Sequence, residues 1–284
     1  MHSAAKKLTV VDGTPATPGF LTADEDALSR RFLDQGHVVF PVENRASLDR
    51  LRKTIADSAA AWLGIDTPAD VGAFLDTIHT RVGPEKVNDL RMAAIRGVNG
   101  TDWTIRTYFS LARTALATLV GNELAMQKRL NLSIQMPGDH SSVLATHADS
   151  WDGDSPFEVV LWVPLVNVYG SKCMFLLKPE QDAKRAANFR RFAGKSTEDL
   201  YRDIEPDLIR PEVRYGEAMI FSPNLMHGNR VNTERDTRWS FNCRVKGLFT
   251  PYADKRLGEF FEPVTMRATT RMGLDYREPE GFDE

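Results

Sequence analysis

A change of period at Gly121 constrains this chain more than any other feature. Before it, apolar residues recur at helical spacing; after it they alternate or run unbroken, as strands do. Thr22 and Glu25 form a capping box for a helix that Gly36 stops, and residues 37–42 read as a short strand. Leu48, Leu51, Ile55, Ala59 and Trp62 mark an amphipathic helix over 46–63, with further helical segments near 68–82 and 85–96. Ile105, Tyr108, Phe109, Ala112, Leu116 and Leu119 predict one helix over 102–120. Beyond Gly121, residues 131–136 alternate and stop at Pro137-Gly138, while 157–166 is a nearly continuous apolar run suited to a strand buried on both faces. Residues 173–177, 217–221 and 238–246 supply three more strands.

A helical half followed by antiparallel strands predicts an α+β fold, a double-stranded β-helix (jelly roll, cupin-like) with a helical N-terminal layer packed on one face. The expected layout is a single domain over 1–284, with a mainly helical buttress (1–120), a jelly-roll core (121–250) carrying an insertion (179–212), and a C-terminal extension (251–284). The insertion is long for a connection and reads equally as a lid or as a solvated excursion. Residues 1–20 and the acidic end from Glu278 are expected to lack regular structure.

Composition excludes several function classes. With 284 residues and 42% hydrophobic content the chain can bury a sizeable core, and a formal charge of −3 gives no basic surplus for nucleic acid. No apolar run is long enough for a membrane span and the start lacks a secretory pattern, so a cytoplasmic protein is expected. Cys173 and Cys243 sit in apolar strand patterns and read as core thiols. His2, His37, His79 and His140 occupy terminal, turn or helical positions and read as bland.

Two histidines do not. His147 and Asp149 stand two apart in an extended stretch, so both side chains point the same way. His227 closes a later apolar run at a turn, and would be the third ligand of a two-histidine, one-carboxylate facial triad, the set used for Fe(II) oxygenase chemistry. Arg238 opens an alternating run that puts Arg238, Ser240 and Asn242 on one face and Trp239, Phe241 and Cys243 on the other. A guanidinium fork beside a hydroxyl suits the distal carboxylate of a 2-oxo diacid. The run of aspartates at 149, 152 and 154 lacks calcium-loop spacing.

The order His147-x-Asp149, His227, Arg238 and Ser240 resembles the Fe(II)/2-oxoglutarate-dependent oxygenases of the phytanoyl-CoA dioxygenase-like group. Residues 120–129, 154–158, 227–232 and 237–252 are similar to the bacterial "sporadic carbohydrate cluster" branch. The resemblance implies Fe(II) as metal, 2-oxoglutarate and O2 as co-substrates, and an amide such as Gln135 beside the co-substrate. It also implies oxidation, by hydroxylation, cyclisation or desaturation, of a sugar or glycoside in bacterial polysaccharide or natural-product biosynthesis. Where the wider group shows an Asn-Gly pair and a Pro-Gly-Ser-His turn, this chain has Tyr169-Gly170-Ser171-Lys172-Cys173-Met174, which removes any basis for an acyl-CoA substrate. Trp151 at a rim could stack on a sugar ring, and Asp152, Asn131 and Asn242 could read hydroxyls. Arg244 and Lys246 share the parity of Arg238 and either draw an anion or lie solvated. The alternatives are the same chemistry on an amino acid or peptide, and a non-redox cupin-like sugar-binding protein, for which Arg238-x-Ser240 would have no use.

Overall fold

The structure is a computed structural model and describes residues 20–281. The expectations for the first 19 residues, His2 among them, and for the last three lie outside the described residues. In chain order the elements begin with α1 (Ala23–Gln35), β1 (His37–Pro41), α2 (Arg45–Leu63), α3 (Val71–Asp76), α4 (Val87–Asn99), α5 (Thr104–Phe109) and α6 (Arg113–Leu119). Then come β2 (Leu124–Gln127), β3 (Asn131–Gln135), β4 (Glu158–Pro164), β5 (Phe175–Leu177), α7 (Pro179–Ala186), α8 (Thr197–Ile204) and β6 (Leu208–Ile209). The chain continues through β7 (Glu217–Phe221), β8 (His227–Gly228), β9 (Arg238–Gly247), β10 (Phe261–Thr265) and α9 (Ala268–Asp275).

The strands form two antiparallel sheets. The larger has the order β1-β7-β4-β9-β2-β10, with β3 also on β9; the smaller has the order β6-β5-β8. Strand β9 is the axis of the large sheet. One edge carries β4 in the register Glu158 to Lys246 through Pro164 to Ser240, and the other edge is shared by β3 and β2. The alternation of β9 sorts its side chains by chemistry. Trp239, Phe241, Cys243 and Val245 enter one apolar cluster with Val159, Leu161 and Val163 of β4 and with Leu48, Leu51 and Ile55 of α2 and Leu90 and Ala94 of α4. Burying one such leucine removes enough apolar surface to contribute about 1.5–3 kcal/mol. Two polar groups inside this layer are satisfied across it: the Trp239 indole donates to the Leu75 carbonyl at 2.8 Å and the Tyr108 hydroxyl to that of Leu161 at 2.8 Å. The opposite face of β9 holds Arg238, Ser240, Asn242, Arg244 and Lys246, paired in register with Gln135, Ser133 and Asn131 of β3 and with Val160 and Trp162 of β4.

Three features depart from expectation. The helix expected over 102–120 is two, α5 and α6, because Glu43 from the β1–α2 turn accepts from Thr114 N at 2.7 Å and Ala115 N at 3.3 Å, capping α6 from outside its own sequence. The connecting residues Leu111 and Ala112 are buried, so packing and this cap override a continuous helical pattern. Strands β2 and β10 were not foreseen, the first because all four of its residues are buried and show no alternation. The 179–212 segment, expected as a lid or a solvated excursion, is anchored over part of its length. Leu200, Tyr201 and Ile204 of α8 pack on Phe175 and Leu177 of the small sheet and on Met226 just before β8, and β6 pairs with β5. Among the described residues no helix is long and apolar enough to cross a membrane. Both cysteines are buried free thiols.

Candidate metal centre

The site forms where the small sheet meets the segment that precedes β4. His227 starts β8, with β5 on one side; on the other, His147 makes a single antiparallel bridge to it, through His147 N to His227 O at 3.0 Å and His227 N to His147 O at 2.8 Å. Ala148 is extended, with φ −124° and ψ 135°, so Asp149 falls on the same side as His147 before the chain turns into a short 3-10 helix over 149–152. Asp149 N is anchored to the Pro223 carbonyl at 2.9 Å. One ligand atom from each of His147, Asp149 and His227 lies within 4.8 Å of the other two.

The protonation pattern suits a metal. Each histidine has its Nδ1 at 2.8 Å from the carbonyl two residues before it, Ala145 for His147 and Leu225 for His227. With Nδ1–H donating there, each neutral ring turns its Nε2 lone pair to the centre, the orientation that outer hydrogen bonds impose on metal-bound histidines, whereas a protonated His147 donates from Nε2 to Asp149. Asp149 Oδ1 faces both, at 3.2 Å from His147 Nε2 and 3.7 Å from His227 Nε2. Burial alone would raise the Asp149 carboxyl, but the His147 hydrogen bond and the charges of Arg244 and the two histidines bring it down to about 2. Burial lowers His227 to about 4, helped by repulsion from His147, and so keeps it neutral. For His147 burial also acts downward, but bonds to Asp149 and Ala145 leave it above its ordinary value. An anionic carboxylate and two convergent imidazole nitrogens are a fit for a divalent cation of the first transition row.

The triad opens on a cleft of about 700 Å³, which both sheets line. Arg238, Asn131, Asn242, Asp152 and Arg244 all reach it, together with Ser133, Val160, Trp162 and Phe221. Arg238 is buried, and among the described residues no carboxylate pairs with it; its guanidinium donates to the Lys172 carbonyl at 3.1 Å and to Ser133 Oγ at 3.0 Å. Its Nε has no partner, and burial lowers its pKa to about 10. The hydroxyl that Arg238 touches is thus Ser133 and not Ser240. Ser240 is cross-strand from Ser133, fully buried, and its Oγ is also without a partner.

Of the other expected site residues, Gln135 and Trp151 lie off the cleft lining and Asn131, Asn242 and Arg244 are on it. Gln135 is fully buried opposite Arg238 but does not line the cleft: its amide nitrogen donates to the Arg230 carbonyl, while its Oε1 is unpartnered. Trp151 is exposed and tilted against Phe189 at 5.1 Å between ring centroids, outside the cleft lining; the tryptophan that faces the cleft is Trp162. Asn131 Nδ2 donates to Asn242 Oδ1 at 2.9 Å, so these two amides form one polar unit on the wall. Arg244 is not a solvated group or a free anion receptor, since Nη2 lies 2.7 Å from Asp149 Oδ2 and Nε 3.2 Å from Asp154 Oδ1. Lys246 is buried, donating to the Pro251 carbonyl above the Tyr252 ring. His79 is not a bare surface residue: its Nδ1 meets Thr237 Oγ1 at 3.0 Å. Sequence reading missed Asp154, Lys255 and Ser133; the last carried a signal, because it shares the alternating face of Asn131 and Gln135.

The chain matches no family model and no curated protein. Solved structures similar to it at low identity include ThoJ, a non-heme monooxygenase in complex with nickel, 18% identical with a TM-score of 0.47 and 89% of each chain covered. AviO1 from Streptomyces viridochromogenes Tue57 is 16% identical with a TM-score of 0.49, covering 82% of this chain and 99% of that one. HygX from Streptomyces hygroscopicus, with nickel and 2-oxoglutarate bound, is 16% identical with a TM-score of 0.45, covering 84% and 90%.

Proposed function

We propose that the protein is a non-haem Fe(II)- and 2-oxoglutarate-dependent dioxygenase built on a double-stranded β-helix, with its N-terminal helices buttressing the face of the large sheet away from the site. The observation that carries this reading is Arg238, a buried guanidinium with no carboxylate partner among the described residues, lining the same cleft as the His147, Asp149 and His227 triad. A buried cation that lacks its counter-ion is costly unless a ligand supplies one. A 2-oxo diacid does, with one carboxylate for Arg238 and a 2-oxo acid end for the metal. Ser133 Oγ, which lines the cleft and bonds Arg238, would complete the cradle, with the unpartnered Ser240 Oγ cross-strand from it and outside the cleft lining. Bound Fe(II) and 2-oxoglutarate would supply O2 activation and the oxidising equivalent, yielding succinate and CO2. The chain's own part is to orient both imidazoles through Nδ1, hold the diacid at Arg238, and shield the centre with Val160, Trp162 and Phe221.

The substrate in this reading is a carbohydrate or a sugar-bearing small molecule. Support comes from a wall that mixes the Asn131–Asn242 amide pair and Asp152 with the ring of Trp162, since a sugar offers both hydroxyls and an apolar face. The test is coupled turnover by the iron-loaded protein. Succinate should form one to one with a carbohydrate product 16 mass units heavier, or 2 lighter. Clean oxidation of an amino acid with only uncoupled succinate from sugars would overturn the substrate class and leave the chemistry standing. No binding of 2-oxoglutarate to the metal-loaded protein would overturn the chemistry too.

A further inference from the structure

A carboxylate has two oxygens, and in Asp149 they have different surroundings. Oδ1 faces both imidazoles, at 3.2 and 3.7 Å, whereas Oδ2 lies 2.7 Å from Arg244 Nη2. Arg244 has a second counter-ion. Its Nε is 3.2 Å from Asp154 Oδ1, a charge contact without hydrogen-bond geometry, and the other oxygen of that buried carboxylate accepts from Lys255 Nζ at 2.6 Å. The Asp154 backbone N–H also bonds to the Asp149 carbonyl at 3.3 Å. Two cations and two carboxylates therefore form one neutral chain of contacts leading from the β9–β10 loop to the metal ligand. The loop is fixed in turn: Ser155 Oγ donates to Pro251 O at 2.6 Å and Asp254 N to Gly153 O at 3.2 Å. Gly153, at φ 83°, permits this approach, because a Cβ there would collide with the Asp254 carboxylate.

We propose that Arg244, braced by Asp154 and Lys255, is a positioning residue that keeps Asp149 a one-oxygen ligand. The inference rests on the oxygenase reading above. Three protein ligands leave three adjacent metal positions. A 2-oxo acid chelating through two oxygens, and O2, need all three; a carboxylate bound through both oxygens would take one away. A charge-assisted bond from a rigid guanidinium is the strong kind, and it claims Oδ2 before the metal can.

The test uses Co(II) as a spectroscopic probe in the full chain, followed by 2-oxoglutarate titration. Arg244→Ala should bind Co(II) within about threefold of the parent, show an altered visible spectrum before any 2-oxoglutarate is added, and then bind 2-oxoglutarate roughly tenfold more weakly. Arg244→Lys retains the charge; it should recover 2-oxoglutarate affinity only as far as it recovers the parent cobalt spectrum. Two results overturn the inference: a parent-like spectrum in Arg244→Ala, or affinity restored by lysine while the spectrum stays that of the alanine variant, which would be a general field effect. If Arg244→Ala does not fold, Lys255→Ala frees Asp154 at one remove and should shift the spectrum in the same direction by less; no shift overturns the brace. A parent that binds no Co(II) overturns the metal centre and the oxygenase reading with it, whereas a parent that binds Co(II) and 2-oxoglutarate indistinguishably from Arg244→Ala overturns this inference alone.

Discussion

Residues at the centre divide into those that bind and those that keep binders in place, and single substitutions should separate them. His147→Ala or His227→Ala removes one of three convergent donors, and each should abolish stoichiometric metal binding and turnover. Metal analysis of the purified variants, with circular dichroism to show folding, checks this; full iron content in either would reject the ligand assignment. In the proposed complex, Arg238→Ala would leave the 2-oxo diacid without its cation, a loss of about 2–5 kcal/mol by analogy with truncated buried charge pairs. The corresponding weakening of 2-oxoglutarate is roughly 30-fold or more. Equal titration curves for variant and parent would assign the anchor to another residue.

Elements set the distances that residues exploit. Strand β8 is only two residues long, yet it aligns His227 with both β5 and His147. Gly228 makes that possible: a Cβ there would come within 2.7 Å of the Leu144 carbonyl and 2.8 Å of the Phe175 ring. Gly228→Ala should therefore push the 144–147 stretch away from β8, lowering metal affinity by about tenfold or more, the effect expected when the supports of metal ligands are disturbed. Unchanged affinity in a calorimetric titration would show that the bridge is dispensable. The same elements show what a sequence reveals. The alternation of β9 was legible because one face packs on helices and the other on polar groups, and the triad was legible because its chemistry restricts residue types. Strand β2, buried on every residue, has no period to read, and the α5–α6 break is set by Glu43, a residue far away in the chain. Gln135 was placed by its strand face and the resemblance, and Trp151 by its position after the ligand pair; strand pairing and an aromatic neighbour decide their actual surroundings.

For the whole molecule, the acidic groups behind the site make stability depend on pH. Burial, and then the nearby charge of Asp154, raise Glu158 to about 7 against the help of Ser155 N, Lys246 and Arg244. The folded state thus holds a proton that the unfolded chain releases nearer pH 4.5, so this contribution is present below pH 4.5 and is lost as pH rises to about 7. After allowance for residual solvent screening the loss is about 2 kcal/mol. Glu158→Gln should flatten the fall in denaturant midpoint between pH 5 and 8, an interval of about three units around the window; a fall as steep as the parent's would place the buried proton elsewhere. The two-bond bridge between His147 and His227 bears on the folding of the entire chain. An ion held there is a removable cross-link: it closes a loop containing β4 to β7, α7 and α8, while α2 and α4 lie outside that loop. At a hundredfold excess over its Kd such an ion stabilises by about 2.7 kcal/mol. Amide exchange should slow most within that loop on metal addition, and a chelator should restore it; under the Fe(II) reading proposed above, a shortage of iron would leave the protein more open to proteolysis as well as inactive.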